Sequence, residues 1–282
     1  MRFLFLGTAA AEGYPALFCE CDHCCSARLA RGINLRRRAH ALVDDAVLLD
    51  LGPDLLSSVH QHGLDLNRVR VALSTHAHPD HFHGFNLALR DDWGTRLVPE
   101  TLEWFAPPAL VARLARDFGI GAHEGCFEDA RYKLIATALE PGARVYAAGY
   151  EITALRAAHG EVQDGCLLYA VERDGRRVLY GTDTGAFPDE TWALLQDSGK
   201  QFDLVVLDGT MGLGHGEPQH MNAEQAIAHA EQLRAAKLVH TSTRILVTHF
   251  SHYFNPLHDE LERLYAPHGI EVAYDGLEVN LG

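Results

Sequence analysis

The sequence contains no apolar run long enough to cross a membrane, which argues against a helical membrane protein. A spanning helix needs about 20 consecutive apolar residues, and no stretch of the 282 residues approaches that length. The short apolar run at the start imitates a signal peptide but is too brief for one, and it predicts a first β-strand that ends at Gly7. We therefore expect a cytoplasmic protein with no membrane partner.

Positive charge is also scarce. The chain has 24 lysines and arginines against 38 aspartates and glutamates, which gives a formal net charge of −14. This balance argues against a general nucleic-acid binder held by phosphate contacts, so we do not expect a nucleic-acid partner. A small anionic substrate would need cations at its site, and bound metal ions can supply them.

Linker-like stretches and short repeats are absent as well. Hydrophobic residues make up 47% of the chain and charged residues 22%, as in ordinary globular domains. Strand and helix patterns alternate, so we predict one α/β domain over residues 1–282. A homodimer is compatible with this prediction. The pattern is hardest to interpret between residues 100 and 148, where we predict an inserted cap segment.

Local patterns predict several individual elements. A hairpin is predicted over residues 41–50, and apolar side chains at helical spacing predict a helix over residues 100–118. A second helix is predicted over residues 223–236, with Asn222 as its N-cap. The chain is predicted to end in a hairpin over residues 272–281.

A dense group of metal-binding side chains follows a predicted buried strand over residues 69–75. His76, His78, Asp80 and His81 fall within six residues and offer the imidazole and carboxylate ligands that suit Zn, Mn or Fe. His76 and His78 point the same way on an extended backbone and can hold one ion. Asp80 and His81 follow a proline turn and can reach a second ion.

The run Thr-His-Ala-His-Pro-Asp-His, which ends at His81, resembles the signature of the metallo-β-lactamase superfamily. The resemblance implies an α/β fold, a four-layer αβ/βα sandwich, and metal-dependent hydrolysis. It also implies ligands at later strand ends, and His159, Asp183 and His249 each follow a predicted strand. One such residue alone is weak support, because a histidine at a strand end is more often simply hydrogen-bonded. Three in order favour metal binding.

The predicted site holds two divalent ions, Mn or Zn, that share one carboxylate. The assigned ligands are His76, His78 and His159 for the first ion, Asp80, His81 and His249 for the second, and Asp183 as the bridge. Asp50 resembles an early aspartate of the superfamily, which implies that it orients the ligand loop from behind the site.

Two such ions can share one hydroxide, because each cation lowers the pKa of water. We expect this metal-bridging hydroxide to hydrolyse a small cyclic or nucleotide-like phosphodiester, with Asp80 and Asp183 aiming it. His220, on a loop after a predicted strand, is the candidate general acid for the leaving oxygen, and His215 is the alternative.

Cysteine is uncommon, with six residues, and four of them crowd within residues 19–25. In the cytoplasm such a cluster indicates metal ligands or free thiols more than disulfides. Three cysteines and one histidine would close a tetrahedral structural zinc site. The predicted ligands are Cys19, Cys21, Cys24 and His252, with Cys25 or His23 as alternatives to His252.

Three motifs together resemble one branch of the superfamily, the phosphoribosyl 1,2-cyclic phosphate phosphodiesterases of the bacterial carbon–phosphorus lyase pathway. The motifs are the cysteine cluster, Thr182-Asp-Thr-Gly and Thr248-His-Phe-Ser-His. The resemblance implies a structural zinc, a binuclear site active with manganese, and a histidine acid on a loop. Residues 100–148 and 211–219 depart from that branch, so the substrate stays open.

Three other functions fit parts of the pattern. The fold also hosts lactonases and other ester hydrolases, in which the hydroxide attacks a carbonyl carbon. It hosts tRNA 3′-processing nucleases too, which the acidic charge disfavours. A branch that acts in quinone-cofactor biosynthesis has a similar cysteine motif but a degraded histidine motif, and the complete motif over residues 76–81 argues against it.

Overall fold

The computed structural model describes residues 1–91, 96–119 and 126–282. Its strands are β1 (Arg2–Gly7), β2 (His40–Val43), β3 (Val47–Leu49), β4 (Val71–Leu73), β5 (Leu102–Ala106), β6 (Cys126–Asp129), β7 (Leu134–Ala138), β8 (Arg144–Ala147), β9 (Tyr150–Arg156), β10 (Leu167–Arg173), β11 (Arg176–Gly181), β12 (Phe202–Asp208), β13 (Val239–Thr248), β14 (Glu271–Val272) and β15 (Glu278–Asn280). Its helices are α1 (Asp22–Ala30), α2 (Leu55–His62), α3 (Phe85–Ala88), α4 (Pro108–Asp117), α5 (Asp189–Asp197), α6 (Ala223–Ala235) and α7 (His258–Tyr265).

The strands form two mixed sheets. Within the described residues, the first sheet has the strand order β15-β1-β2-β3-β4-β5-β7-β6, and the second has the order β14-β13-β12-β11-β10-β9-β8. The first half of the chain builds most of one sheet and the second half builds the other. The last strand, β15, returns to pair antiparallel with β1, so both ends of the chain lie in the first sheet.

Alternating side chains divide the apolar residues among three core layers. Phe3 and Phe5 of β1 enter the core between the two sheets, whereas Leu4 and Leu6 enter the core that contains residues of α2 and α4. The outer face of the second sheet packs against residues of α5, α6 and α7. This division follows from the twofold period of a strand. The predicted four-layer αβ/βα sandwich is confirmed.

Two local predictions are confirmed in detail. β2 and β3 form the predicted antiparallel hairpin, and Asp44 and Asp45 occupy its turn with positive φ angles of 50° and 57°. Asn222 caps α6, because its side chain accepts from the backbone N–H of Gln225 while the Gln225 side chain accepts from the backbone N–H of Asn222.

The predicted helix over residues 100–118 is wrong in its first half. Residues 102–106 form β5, which pairs in parallel with β4 and β7, and only residues 108–117 are helical. Both faces of β5 are buried, with Trp104 in one core layer and Phe105 in another. A strand that is buried on both faces has apolar residues at odd and even positions, so some of them also fall three or four residues apart, as they do in a helix.

The predicted terminal hairpin over residues 272–281 is also wrong. β14 pairs with β13 in the second sheet, whereas β15 pairs with β1 in the first. The chain does turn between them, but it crosses from one sheet to the other. The two strands therefore never face each other as hairpin partners.

The segment over residues 100–148 contributes to both sheets where it is described. It supplies β5, β6 and β7 to the first sheet and β8 to the second. Residues 120–125 lie outside the described residues. The inserted cap and the single-domain boundaries stay predictions.

Candidate active site

The carboxyl ends of several strands meet at one edge of the molecule. β9, β11, β12 and β13 run in the same direction, because β9 and β11 are both antiparallel to β10 while β11, β12 and β13 pair in parallel. His159, Asp183 and His249 follow β9, β11 and β13 in turn. The loop with His76 and His81 follows β4 of the other sheet. Ligands commonly bind at such carboxyl edges.

The first group of donor atoms comes from His76, His78, His159 and Asp183. One potential ligand atom from each lies within 4.8 Å of the others. The Nε2 atoms of His76 and His159 lie 3.2 and 3.4 Å from Oδ2 of Asp183. Nδ1 of His78 lies 3.0 Å from Nε2 of His159. The structure thus brings together the residues predicted for the first ion.

The second group comes from Asp80, His81, Asp183 and His249, whose ligand atoms also lie within 4.8 Å of one another. Nε2 of His81 lies 3.2 Å from Oδ2 of Asp80 and 3.1 Å from Oδ2 of Asp183. All four side chains are buried. Asp183 belongs to both groups, in the position predicted for a bridging carboxylate.

The outer nitrogens of two histidines are held by buried acceptors. Nδ1 of His81 lies 2.8 Å from Oδ2 of Asp50 and donates to that carboxylate. Nδ1 of His249 lies 2.7 Å from the hydroxyl oxygen of Thr210, and that hydroxyl in turn donates to Asp208. Each ring therefore directs its Nε2 into the site, where these two Nε2 atoms lie 3.0 Å apart. Two ring nitrogens fixed at that distance can bind one cation in exchange for their protons.

Three residues of the site have a strained backbone. Asp50, Asp183 and His249 have positive φ angles of 63°, 53° and 65°, although none of them is glycine. Such conformations cost about 1–3 kcal/mol each and persist where the surroundings impose them, often at functional sites. Here they turn Asp183 and His249 into the donor groups and Asp50 onto the outer nitrogen of His81.

The donor set fits divalent cations. Within the described residues, buried Nε2 of His76 and Oδ1 of Asp183 have polar neighbours at 3.2 and 3.0 Å but form no hydrogen bond of good geometry, which costs about 1–3 kcal/mol per atom unless something else binds them. Burial alone would raise the pKa of both carboxyl groups, but His249 holds the pKa of Asp183 well below its usual value, and His81 does the same for Asp80. Both are therefore ionised, as metal ligands must be.

His220 lies beside the shared carboxylate. Its Nδ1 is 3.0 Å from Oδ1 of Asp183, and its ring is stacked 6.1 Å from that of His249. Burial would lower the pKa of His220, but Asp183 and Asp208 raise it to about 9. Asp183, Asp208, His220 and His249 also form a further group within 4.8 Å, so His220 is placed to act as either a proton donor or a ligand. His215 is exposed on the same loop, away from the donor groups.

The loop with His220 packs tightly on the loop with Asp183. A Cβ atom on Gly185 would lie only 2.0 Å from the carbonyl oxygen of Pro218. Glycine is therefore needed for the two backbones to approach. The same approach places the carbonyl oxygen of Gln219 3.3 Å from Nδ1 of His159, which supports a third ring of the site from behind.

A separate group contains Cys19, Cys21, Cys24 and His252, with ligand atoms within 4.8 Å of one another. Nδ1 of His252 lies 3.5 Å from the Sγ atoms of both Cys19 and Cys21. Burial would raise the pKa of Cys21, but the backbone N–H of Cys24 and the ring of His252 lower it to about 6. The thiolate that metal binding needs is thus favoured at this position.

The two alternative ligands lie outside this group. Cys25 is exposed, and its thiol donates to the carbonyl oxygen of Glu20. Nδ1 of His23 lies 2.9 Å from the backbone oxygen of His252 and so donates to it. Of the residues weighed from the sequence, His252 is the one that the structure brings to the three cysteines.

The donor groups open into a cleft of about 310 Å³. Its floor is formed by His78, Asp80, His159, Asp183 and His249. The remaining lining residues are Ala10, Ala11, Glu12, Thr210, Met211, Gln219, His220, Ser251, Tyr253 and Phe254. A cleft of this size is suited to a small substrate.

Comparison with known families decides the membership of the chain. The family model described as a beta-lactamase superfamily domain matches residues 45–243, which include both donor groups except His249. The chain belongs to the beta-lactamase superfamily. With its two groups of metal-binding side chains, this superfamily member is a metal-dependent hydrolase with divalent metal ions as cofactors. Among the described residues, no helix combines the length and apolar character needed to span a bilayer.

Several known proteins resemble this superfamily member along its whole length. Coenzyme PQQ synthesis protein B of Azoarcus sp. (strain BH72) is 27% identical, with all of both chains covered. The crystal structure of a diphosphatase from the PhnP family has a TM-score of 0.74 at 22% identity and covers 99% of this chain and 97% of its own. Zinc-bound PqqB from Methylobacterium extorquens has a TM-score of 0.72 at 16% identity, with both chains fully covered.

Sequence reasoning missed the supporting pair behind His249. Asp208 is fully buried and accepts from the backbone N–H groups of Thr210 and Met221 and from the Thr210 hydroxyl. Asp208 ends β12. An acidic residue at the carboxyl end of a buried strand was therefore an available signal, the same one that pointed to Asp183.

Proposed function

We propose that the protein is a phosphodiesterase that hydrolyses a small cyclic or nucleotide-like phosphodiester. The observation that carries this proposal is the sharing of Asp183 by two donor groups at the floor of one small cleft. Two adjacent cations can each bind one of the two non-bridging oxygens of a phosphodiester. In the described part of the chain no lysine or arginine lines this cleft, so we expect bound metal, with His220, to balance the charge of a phosphate.

The ligand assignment follows the two groups. His76, His78 and His159 would hold one ion, Asp80, His81 and His249 the other, and Asp183 both, with Mn or Zn as the candidate metals. When bound, two such cations lower the pKa of water and offset negative charge on the phosphoryl oxygens. Asp80 and Asp183 would accept hydrogen bonds from the attacking water and so orient it. Asp50 and Asp208 would fix the rings of His81 and His249.

The leaving oxygen needs a proton, and His220 is the residue placed to supply it. Its ring lies in the wall of the cleft beside Asp183 and is about one-fifth exposed. Nδ1 faces Asp183, and Nε2 lies on the other side of the ring, 3.7 Å from Oε1 of Glu217. We assign the role of general acid to His220 on this geometry. His215 does not line the cleft.

We further propose that Cys19, Cys21, Cys24 and His252 hold a structural zinc ion. The set is three thiols and one imidazole, which is a common closed ligand set for zinc. Backbone N–H groups of Cys21 and Cys24 donate to the Sγ atoms of Cys19 and Cys21, and such bonds stabilise thiolates. The site ties the first turn of α1 and the loop before it to the loop that follows β13.

A second candidate function comes from the full-length similarity to coenzyme PQQ synthesis protein B. In that alternative the protein would act in the synthesis of this quinone cofactor, and the cleft would accept a precursor of it. The complete set of donors at residues 76–81 favours the phosphodiesterase.

The discriminating experiment supplies the metal-loaded protein with bis(p-nitrophenyl) phosphate, a 2′,3′-cyclic nucleotide, a lactone and a precursor tRNA, each with added Mn²⁺ or Zn²⁺. The phosphodiesterase proposal predicts turnover of the two phosphodiesters. Turnover of the lactone alone would favour a lactonase or other ester hydrolase. Cleavage confined to a tRNA 3′ end would favour a tRNA-processing nuclease, and no turnover of any of these would favour the quinone-cofactor alternative.

A further inference from the structure

The cleft wall beyond the donor groups carries one acidic side chain and two aromatic ones. Glu12, Tyr253 and Phe254 all line the cleft. The two aromatic side chains are well exposed, Tyr253 at 66% and Phe254 at 38%. A substrate that places its phosphate on the floor can direct its other substituent towards this wall.

Glu12 is held in place by the loop that carries His249. Its Oε1 accepts a hydrogen bond of 2.5 Å from the hydroxyl of Ser251, and its side chain is about one-quarter exposed. Ser251 lies two residues after His249 and lines the same cleft. The carboxylate is therefore fixed beside the substrate volume while it remains in contact with solvent.

The arginine of the adjoining pocket is already paired with a carboxylate. Arg38 lies with Glu12 and Tyr253 around an adjoining pocket. Its Nη1 contacts both carboxylate oxygens of Asp54, at 3.0 and 3.1 Å, and its Nε donates to the backbone oxygen of Ala11. Among the described residues, a second anionic group at this wall would therefore meet the carboxylate of Glu12 and two aromatic rings, and Arg38 beside it is already paired with Asp54.

We propose that Glu12 is a specificity-determining residue that excludes substrates with a second phosphate. This inference rests on the proposed phosphodiesterase function. The favoured substrate class is a phosphodiester whose other substituent is uncharged, such as a nucleoside. Its hydroxyl groups can donate to Glu12, and its base can stack on Tyr253 or Phe254. A 5′-phosphate on the same nucleoside would meet like charge at this wall. This class differs from phosphoribosyl 1,2-cyclic phosphate, which carries a second phosphate.

Glu12 also lies near the cysteine site, because its Oε1 is 3.8 Å from Nε2 of His252. A purely structural role for Glu12 through His252 would alter stability, zinc content and the turnover of every substrate alike. A role in specificity instead changes the ratio between two substrates measured on one preparation. That ratio separates the two roles.

The test compares kcat/KM of the metal-loaded protein for adenosine 2′,3′-cyclic phosphate and for the same compound with a 5′-phosphate. We expect the wild type to prefer the first by about tenfold. Glu12→Gln should bring the ratio close to one, and Ser251→Ala, which frees the carboxylate, should shift it in the same direction by less. Glu231→Gln removes the same charge from an exposed position on α6 and should leave the ratio unchanged.

Two results would overturn the inference while leaving the phosphodiesterase function intact. One is equal use of both nucleotides by a wild type that turns over bis(p-nitrophenyl) phosphate. The other is a preference that persists in both Glu12→Gln and Ser251→Ala. Failure of the wild type to hydrolyse any of the three phosphodiesters would instead overturn the proposed function, and this inference with it.

Discussion

Asp183 is the residue on which the geometry of the site converges. Its Oδ2 lies within 3.4 Å of Nε2 in His76, His81 and His159, and its Oδ1 lies 3.0 Å from His220. It reaches this position through a positive φ angle after β11. A buried, negatively charged carboxylate is stable only where positive charge lies beside it, here either metal ions or protonated imidazoles.

Replacing Asp183 by alanine should abolish hydrolysis of bis(p-nitrophenyl) phosphate and lower the content of active-site metal, because both donor groups lose a ligand. Circular dichroism should still show a folded protein, since the core layers are untouched. Asp189→Ala, at an exposed position on α5, is the matched control and should keep full activity. An unchanged rate in the Asp183→Ala variant would remove this residue from the bridge.

The role of His220 as general acid can be tested by comparing substrates whose leaving groups differ in their need for a proton. His220→Gln should slow a 2′,3′-cyclic nucleotide, whose leaving alkoxide needs a proton, by about 10²–10⁴-fold. The same change should slow bis(p-nitrophenyl) phosphate far less, because p-nitrophenolate leaves without protonation. If both substrates slowed equally and bound metal was lost, His220 would be a ligand in the group with Asp208 instead of the general acid.

The cysteine group offers a paired test of structural zinc. Cys21→Ser should lower the melting temperature and the zinc content, because zinc binding contributes directly to folding. Each kcal/mol lost lowers the melting temperature of a domain of this size by roughly 2–4 °C. Cys25→Ser removes a neighbouring thiol that is exposed and outside the group, and it should melt like the wild type. Normal melting and full zinc content in Cys21→Ser would refute the assignment.

At the scale of elements, short-range signals were predictable and long-range pairing was not. The turn at Asp44 and the cap at Asn222 depend on side chains within a few residues of each other, so the sequence shows them directly. The break at residues 107–108 was also readable, because Pro107 and Pro108 mark the start of α4. The sheet to which β14 or β15 belongs depends on partners far away in the chain, which no local pattern encodes.

The contact between the Asp183 loop and the His220 loop makes a prediction at this scale. Gly185→Ala would place a Cβ atom against the Pro218 carbonyl, so the loop must move and His220 with it. We expect a cost of about 1–3 kcal/mol in stability from overpacking, together with a marked loss of cyclic-nucleotide hydrolysis.

Gly199→Ala serves as the control for that variant. Gly199 has a positive φ angle of 60°, but a Cβ atom added to it would meet no other atom within 4 Å. It lies before β12, at the opposite end of the strand from Asp208. The variant should lose stability through backbone strain and keep its activity. Full activity in Gly185→Ala would show that the position of the loop does not matter.

At the scale of the whole molecule, the fold explains why residues far apart in sequence could be assigned to one site. Every predicted active-site ligand lies just beyond a strand, and the two sheets direct those strand ends to the same edge. The strand-end rule therefore located His159, Asp183 and His249. It could not locate Glu12, whose place at the cleft depends on its bond to Ser251. Cytoplasmic location and a homodimer stay predictions.

Two divalent ions on the groups joined by Asp183 are expected to make this protein a phosphodiesterase. This is tested by stripping the protein with a chelator and then following bis(p-nitrophenyl) phosphate hydrolysis while Mn²⁺ or Zn²⁺ is added back and bound metal is counted. We predict no rate without metal and a rate that levels off once both active-site positions are filled. Full activity in the stripped protein, or none at any metal loading, would show that the two ions do not carry out the hydrolysis.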